Sequence, residues 1–217
     1  MHSVCIPGAR PPTAQSRASE VREQPDIGVI LSLADFHFDP FYDPTLFQEL
    51  VQSPASEWPR IFAGSQVSGY GEYGKDSNYN LFVSALNHAA LAAPKADFIM
   101  LAGDWLAHDL RDVYYQYAGK RDAHGLYQFI DKTIAFLTQR IREQFPTVPI
   151  YPALGNVDSY CGDYELQPKG AFLRRTAETW KGLLHNRTTN KLLWKASQSA
   201  GTIRPQHQEH STNAFSF

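Results

Sequence analysis

The stretch Ile27-Gly28-Val29-Ile30-Leu31-Ser32-Leu33-Ala34-Asp35-Phe36-His37-Phe38-Asp39-Pro40 joins a short apolar run directly to a cluster of carboxylate and imidazole side chains. A run of this length, bounded by Asp26 and Asp35, reads as a strand buried on both faces, the kind that parallel sheets contain. The same succession recurs twice. Asp97 to Ala102 is a second apolar run, closed by Gly103-Asp104 with His108 shortly after, and Val148 to Leu154 is a third, closed by Gly155-Asn156. Helical spacing fills the intervals. Leu81, Ala85, Leu86, Ala89 and Ala92 step along one face until Pro94; Leu126, Ile130, Ile134, Leu137 and Ile141 do so until Pro146. Phe172, Leu173, Ala177, Trp180 and Leu184 mark a further amphipathic helix, with Arg174, Arg175, Glu178 and Lys181 on its wet side. Strands alternating with helices predict an α/β domain with a parallel sheet and crossover helices.

In an open α/β sheet the carboxyl ends of the strands line the crevice where ligands bind. The three clusters, distant in sequence, are therefore expected to meet. Carboxylate, imidazole and amide oxygen form a mixed hard and borderline donor set, suited to Zn, Mn or Fe rather than to a thiolate site. Asp35 and His37 after one strand can reach the same ion, and Asp104 has two oxygens with which to bridge two. Gly103 and Gly155 let the backbone approach closely. Two ions about 3.5–4 Å apart orient a phosphate, activate water and stabilise the attacking and leaving oxygens.

Asp35-x-His37, Gly103-Asp104 and Gly155-Asn156 resemble the first three motifs of the calcineurin-like metallophosphoesterases, in order. Within that family, His37-Phe38-Asp39-Pro40-x-Tyr42, Tyr70-Gly71-x-Tyr73-Gly74, Gly103-Asp104-Trp105-Leu106-Ala107-His108 and the run from Gly155 to Tyr164 are similar to the acid sphingomyelinase-like branch. The resemblance spans roughly residues 27 to 184 and implies a metallophosphoesterase-type sheet-and-helix sandwich, here expected to be truncated after the third metal motif. It implies two divalent metal ions (Zn, Mn or Fe), with Asp35 and His37 on the first, Asp104 bridging and Asn156 on the second. It places His108 near the leaving group. The implied reaction is hydrolysis of a phosphodiester or phosphomonoester by metal-bound hydroxide, on a small phosphoester or a lipid head group. A secreted or lysosomal setting is implied as well.

The pattern is departed from in two places. Val157 stands where the family usually has a proton-donating His, and no later Gly-His-x-His motif is found; His185, His207 and His210 are the only histidines beyond Asn156. The alternative reading is an inactive fragment or interaction protein retaining half of the metal site. Such a chain is expected to leave a sheet edge and apolar surface uncovered, open to a partner or to aggregation.

The remaining sequence bounds the function. Residues 1–26, rich in Pro, Arg, Ser and Gln, lack the apolar segment of a secretory signal and read as a flexible leader. Residues 27–195 are expected to form the N-terminal part of the domain, and 196–217 a polar, poorly structured tail. Twenty Lys+Arg against 22 Asp+Glu leave no basic excess for a phosphate backbone, so nucleic acid is not the expected partner. No stretch is apolar and long enough to span a bilayer. Cys5 and Cys161 make no disulfide framework. The stretch from Pro40 to Asn80 reads as a long loop serving a site. Plain structural roles are expected for Asp39 as a turn former, for His88 beside a helix stripe, for the Tyr70–Tyr73 loop as aromatic packing, and for Cys161 as packing.

Overall fold

The computed structural model describes residues 28–184. The proposed leader and tail, together with His185, His207, His210 and Cys5, lie outside them. Three strands, β1 (Ile30–Leu33), β2 (Phe98–Leu101) and β3 (Ile150–Pro152), form a parallel sheet in the order β1-β2-β3. Register aligns Ser32 with Met100 and Met100 with Tyr151. Each strand falls within its expected run and is shorter than it.

Six α-helices accompany the sheet among the described residues: α1 (Phe47–Gln52), α2 (Trp58–Ala63), α3 (Tyr79–Ala92), α4 (Leu110–Ala118), α5 (Ala123–Gln144) and α6 (Ala171–Trp180). Helices α3, α5 and α6 are those that the apolar periodicity predicts. Asn78 caps α3 by accepting from the Leu81 N–H, and Asp122 caps α5 by accepting from the Gly125 N–H. The expected loop from Pro40 to Asn80 is corrected in its first half. Two short helices occupy it, and they bury Phe47, Leu50, Trp58, Ile61 and Phe62.

The core is aromatic. Phe38 packs edge-on to Phe62 and tilted against Phe82 and Phe136, while Trp58 and Phe41 close on Phe129. Among the described residues it lies on one side of the sheet. Leu31, Leu33, Ile99, Leu101 and Ile150 face the helices, whereas Ile30, Met100 and Tyr151 are exposed. The expectation that the first strand is buried on both faces is therefore corrected: alternate residues of β1 are open. Likewise Tyr70 and Tyr73 are exposed rather than packed.

Candidate metal centre

Beyond β1 the alternation slips by one residue, because Asp35 and His37 take left-handed backbone at φ 57° and 38°: Leu31 and Leu33 face the helices in the strand, but Phe36 and Phe38 do so after it. Phe36 and Phe38 are buried in the aromatic core, which leaves Asp35 and His37 on the opposite side of the backbone. Backbone pairing continues past the strands. The Asp35, His37 and Phe38 amides donate to the carbonyls of Gly103, Asp104 and Trp105 at 3.1, 2.9 and 3.1 Å. The turn after β1 is thereby fastened, residue by residue, to the turn after β2.

The turn after β3 is fastened to the same place by a different device. Asp158, 2% exposed, accepts the Trp105 and Leu106 amides on Oδ1 at 2.9 and 3.0 Å and the Gly155 amide on Oδ2 at 2.8 Å. Burial pushes its carboxyl up, against those three donors. The Val157 amide donates to Asp104 Oδ1 at 3.2 Å. Gly103, at φ 101°, lies so close to Gly155 that a Cβ there would collide with the Gly155 backbone, and a Cβ on Gly155 would collide with Asp104.

These contacts gather donor atoms of Asp35, His37 and Asp104 within 4.8 Å of one another. The buried Nδ1 of His37 has no hydrogen-bond partner. Two carboxylates and one imidazole, whose Nε2 lies 3.7 Å from Asp35 Oδ1 while its Nδ1 lacks a partner, fit a divalent cation. Asn156 is placed by its backbone, between Gly155 and Val157, which both abut Asp104; its carbonyl accepts the Tyr164 amide at 2.7 Å. Val157 is buried in the core.

A second group, His37, Asp76 and His108, also brings donor atoms within 4.8 Å. It fits a cation less well. The two rings stack with centroids 4.2 Å apart and planes 14° from parallel, and ring-nitrogen lone pairs lie in the ring planes, so they do not converge. Both Asp76 oxygens already serve His108: Oδ2 accepts its amide at 2.7 Å and Oδ1 lies 2.8 Å from Nδ1. Hydrogen bonding to Asp76, ahead of the opposing cost of burial, raises the His108 pKa above its ordinary value. This is an acid–base pair beside a metal-type cluster. Asp76 and Asp158 were not singled out by sequence reasoning, although Asp76 falls in the loop expected to serve a site and Asp158 in the motif-bearing run after Gly155. Asp39 is a turn former, as expected: its Oδ1 accepts the Phe41 amide at 2.8 Å.

A parallel α/β sheet with a carboxylate–imidazole cluster at its strand ends puts a donor set suited to divalent ions where open α/β folds bind their ligands. The chain belongs to the Calcineurin-like phosphoesterase family, whose family model matches residues 28–207. It is similar to "Acid sphingomyelinase-like phosphodiesterase 3b" of Mus musculus, 28% identical over 160 residues, which are 74% of this chain and 32% of that protein. It is similar as well to "Sphingomyelin phosphodiesterase A" of Dictyostelium discoideum, 28% identical over 71% of this chain and 24% of that protein. "Cyclic GMP-AMP phosphodiesterase SMPDL3A" of Bos taurus is 27% identical over 82% of this chain and 35% of that protein. The chain thus spans between 24% and 38% of the length of the curated relatives it matches. No described helix is long and apolar enough to cross a membrane.

Proposed function

We propose that this chain carries the first part of a metal-dependent phosphodiesterase site, in which Asp35, His37, Asp104 and Asn156 hold two divalent ions and His108 protonates the leaving group. The observation that carries the reading is the convergence of Asp35 and His37 from the end of β1 with Asp104 from the end of β2. When bound, divalent ions polarise the phosphoryl oxygens and make water acidic enough to supply hydroxide. Zn, Mn and Fe all suit the donor set. Asp35 and His37 project from one turn and Asp104 from the next, so a phosphate group lying over them would face His108, stacked on His37.

The relatives' names give two substrates, sphingomyelin and cyclic GMP-AMP, that share a phosphodiester and little else. The proposed substrate class is accordingly a diester of a small molecule or lipid head group. A second reading, a non-catalytic protein retaining half of the site, is favoured by Val157, which cannot donate a proton and is buried in the core. Loading the chain with Mn or Zn and measuring both bound metal and turnover of bis-nitrophenyl phosphate separates the two. Metal bound with turnover that Asp104→Asn abolishes supports the enzyme; metal bound without turnover supports the second reading; no metal bound overturns the ligand assignment.

A further inference from the structure

We infer that Asp76 is a positioning residue for His108, fixing which ring nitrogen faces the substrate, through its two-point grip on the His108 amide and Nδ1. The inference rests on the acid role proposed above for His108 and adds the group that makes this role possible.

The grip is geometric. One carboxylate oxygen accepts the His108 backbone N–H at 2.7 Å while the other lies 2.8 Å from Nδ1 of the same residue, so the ring is held in both position and rotation. A carboxylate accepts only, so the nitrogen it faces must carry the proton. Nδ1–H is thereby directed to Asp76, and Nε2 is the nitrogen left to exchange a proton with substrate. Asp76 is itself anchored to the segment that carries His37. The Ser77 amide donates to the His37 carbonyl at 2.8 Å, and the Asp39 amide donates to the Ser77 carbonyl at 2.9 Å. Immediately after, Asn78 is buried and begins α3. The carboxylate, the imidazole and the candidate ligand His37 are therefore parts of one rigid assembly rather than neighbours on a surface.

In the proposed reaction, the phosphorus–oxygen bond to the leaving group breaks while the proton on Nε2 of the charged His108 ring passes to that oxygen. Water supplies the new oxygen on phosphorus and releases its proton to solvent. The ring is left neutral, with Nδ1–H still on Asp76. Asparagine at position 76 would keep its oxygen on the His108 amide and turn its NH₂ toward Nδ1. Nδ1 would then have to accept, and the neutral ring would carry its proton on Nε2, where it is held too tightly to be given up.

The test has two arms. The first is nitrogen-15 imidazole spectroscopy of the labelled chain in alkaline buffer, with His108 assigned from the His108→Gln spectrum. The wild-type ring is expected in the Nδ1–H form and the Asp76→Asn ring in the Nε2–H form. A wild-type ring in the Nε2–H form, or the same tautomer in both chains, overturns the inference whether or not the chain turns over. The second arm compares an alkyl diester with bis-nitrophenyl phosphate. Asp76→Asn is expected to slow the alkyl diester about 10²-fold, within the range of lost proton transfer, with the nitrophenyl ester changed only about threefold. In the Asp76→Asn/His108→Ala double variant the loss should be no larger than in His108→Ala alone. Equal losses on both substrates in Asp76→Asn, with His108→Ala selective for the alkyl ester, overturn the positioning role. Equal losses in His108→Ala itself, or no turnover in any chain, sink the acid reading instead and leave the tautomer arm to decide on Asp76.

Discussion

Asp35, His37 and Asp104 all adopt the left-handed backbone region, at φ 57°, 38° and 56°. Such conformations cost residues that carry a Cβ and persist where a site over-determines them. Here the over-determination is visible, because the amides of Asp35 and His37 and the carbonyl of Asp104 all pair across the two turns. Stability and metal binding should therefore pull in opposite directions. Asp35→Gly relieves the backbone and removes a carboxylate from the vicinity of Asp104, so it is expected to raise the unfolding free energy by about 0.5–1 kcal/mol. The same substitution should weaken metal binding sharply. Urea denaturation in chelator and calorimetric metal titration check the two halves, and a variant that is both less stable and equally tight for metal contradicts them. At this scale the sequence is informative where chemistry sits right after a strand. Asp35, His37 and Asp104 announce themselves by following apolar runs, and His108 by following Asp104. Asp76 has no such marker, since its partner lies 32 residues away and nothing in the local pattern points to it.

The elements divide by how periodic they are. Strands β1 to β3 and helices α3, α5 and α6 are legible because their apolar residues repeat at a fixed period over a useful length. Helices α1 and α2 are six residues each, with Pro44 and Pro54 before them and Pro59 in the first turn of α2, which reads as a loop even though Trp58 and Leu50 end in the core. Helix α4 escapes notice because its buried face is Leu110 and Tyr114 rather than an aliphatic stripe. The α1–α2 excursion is closed by Asp43, whose Oδ1 accepts from the Thr45 amide and hydroxyl and whose Oδ2 accepts the Ser65 hydroxyl at 2.6 Å. The bond from Ser65, then that from Thr45, holds its carboxyl below the usual range. A depressed carboxylate stabilises the fold above its unfolded value of about 3.9 and loses that contribution as pH falls through the folded value. Asn caps about as well as Asp and this carboxyl is largely exposed to screening solvent, so Asp43→Asn is expected to cost at most about 0.5 kcal/mol at neutral pH, with the gap to wild type closing below about pH 4. A gap that stays constant across that range counts against the latch. Asp158 is a stronger clamp, since it satisfies three buried amides from two turns. Asp158→Asn keeps the oxygen for Trp105 and Leu106 and should cost about 1–3 kcal/mol. Asp158→Ala leaves all three unpaired and should cost more; urea midpoints in the reverse order would show that the carboxylate is not what joins the turns.

At the scale of the whole molecule, the arrangement of strands is what the sequence predicts and the environment of the sheet is not. Continuous apolar runs suggest strands covered on both faces, yet the described helices lie on one. On the other, Ile30 is 55%, Met100 46% and Tyr151 43% exposed, and the register sets Met100 beside Tyr151 in the middle of the patch. Phe98 packs edge-on to Tyr151 and extends it. Among the described residues β1 and β3 each pair on one side only, so the patch is bordered by two open strand edges. Apolar surface next to unpaired N–H and C=O groups is the combination that recruits another copy of the same chain. The 217-residue chain is therefore expected to self-associate as concentration rises, in sedimentation velocity at moderate salt. Met100→Lys places a solvated charge at the centre of the face without touching the helical core, so it should restore a monomer. Its cost in urea stability should stay within about 0.5 kcal/mol, as for exposed positions generally. Ile99→Lys, on the neighbouring residue but facing the core, should instead unfold the domain, which separates a surface effect from a general loss of structure. A wild-type chain that remains monomeric at every concentration, or a Met100→Lys chain that associates just as strongly, would mean that this face does not drive association.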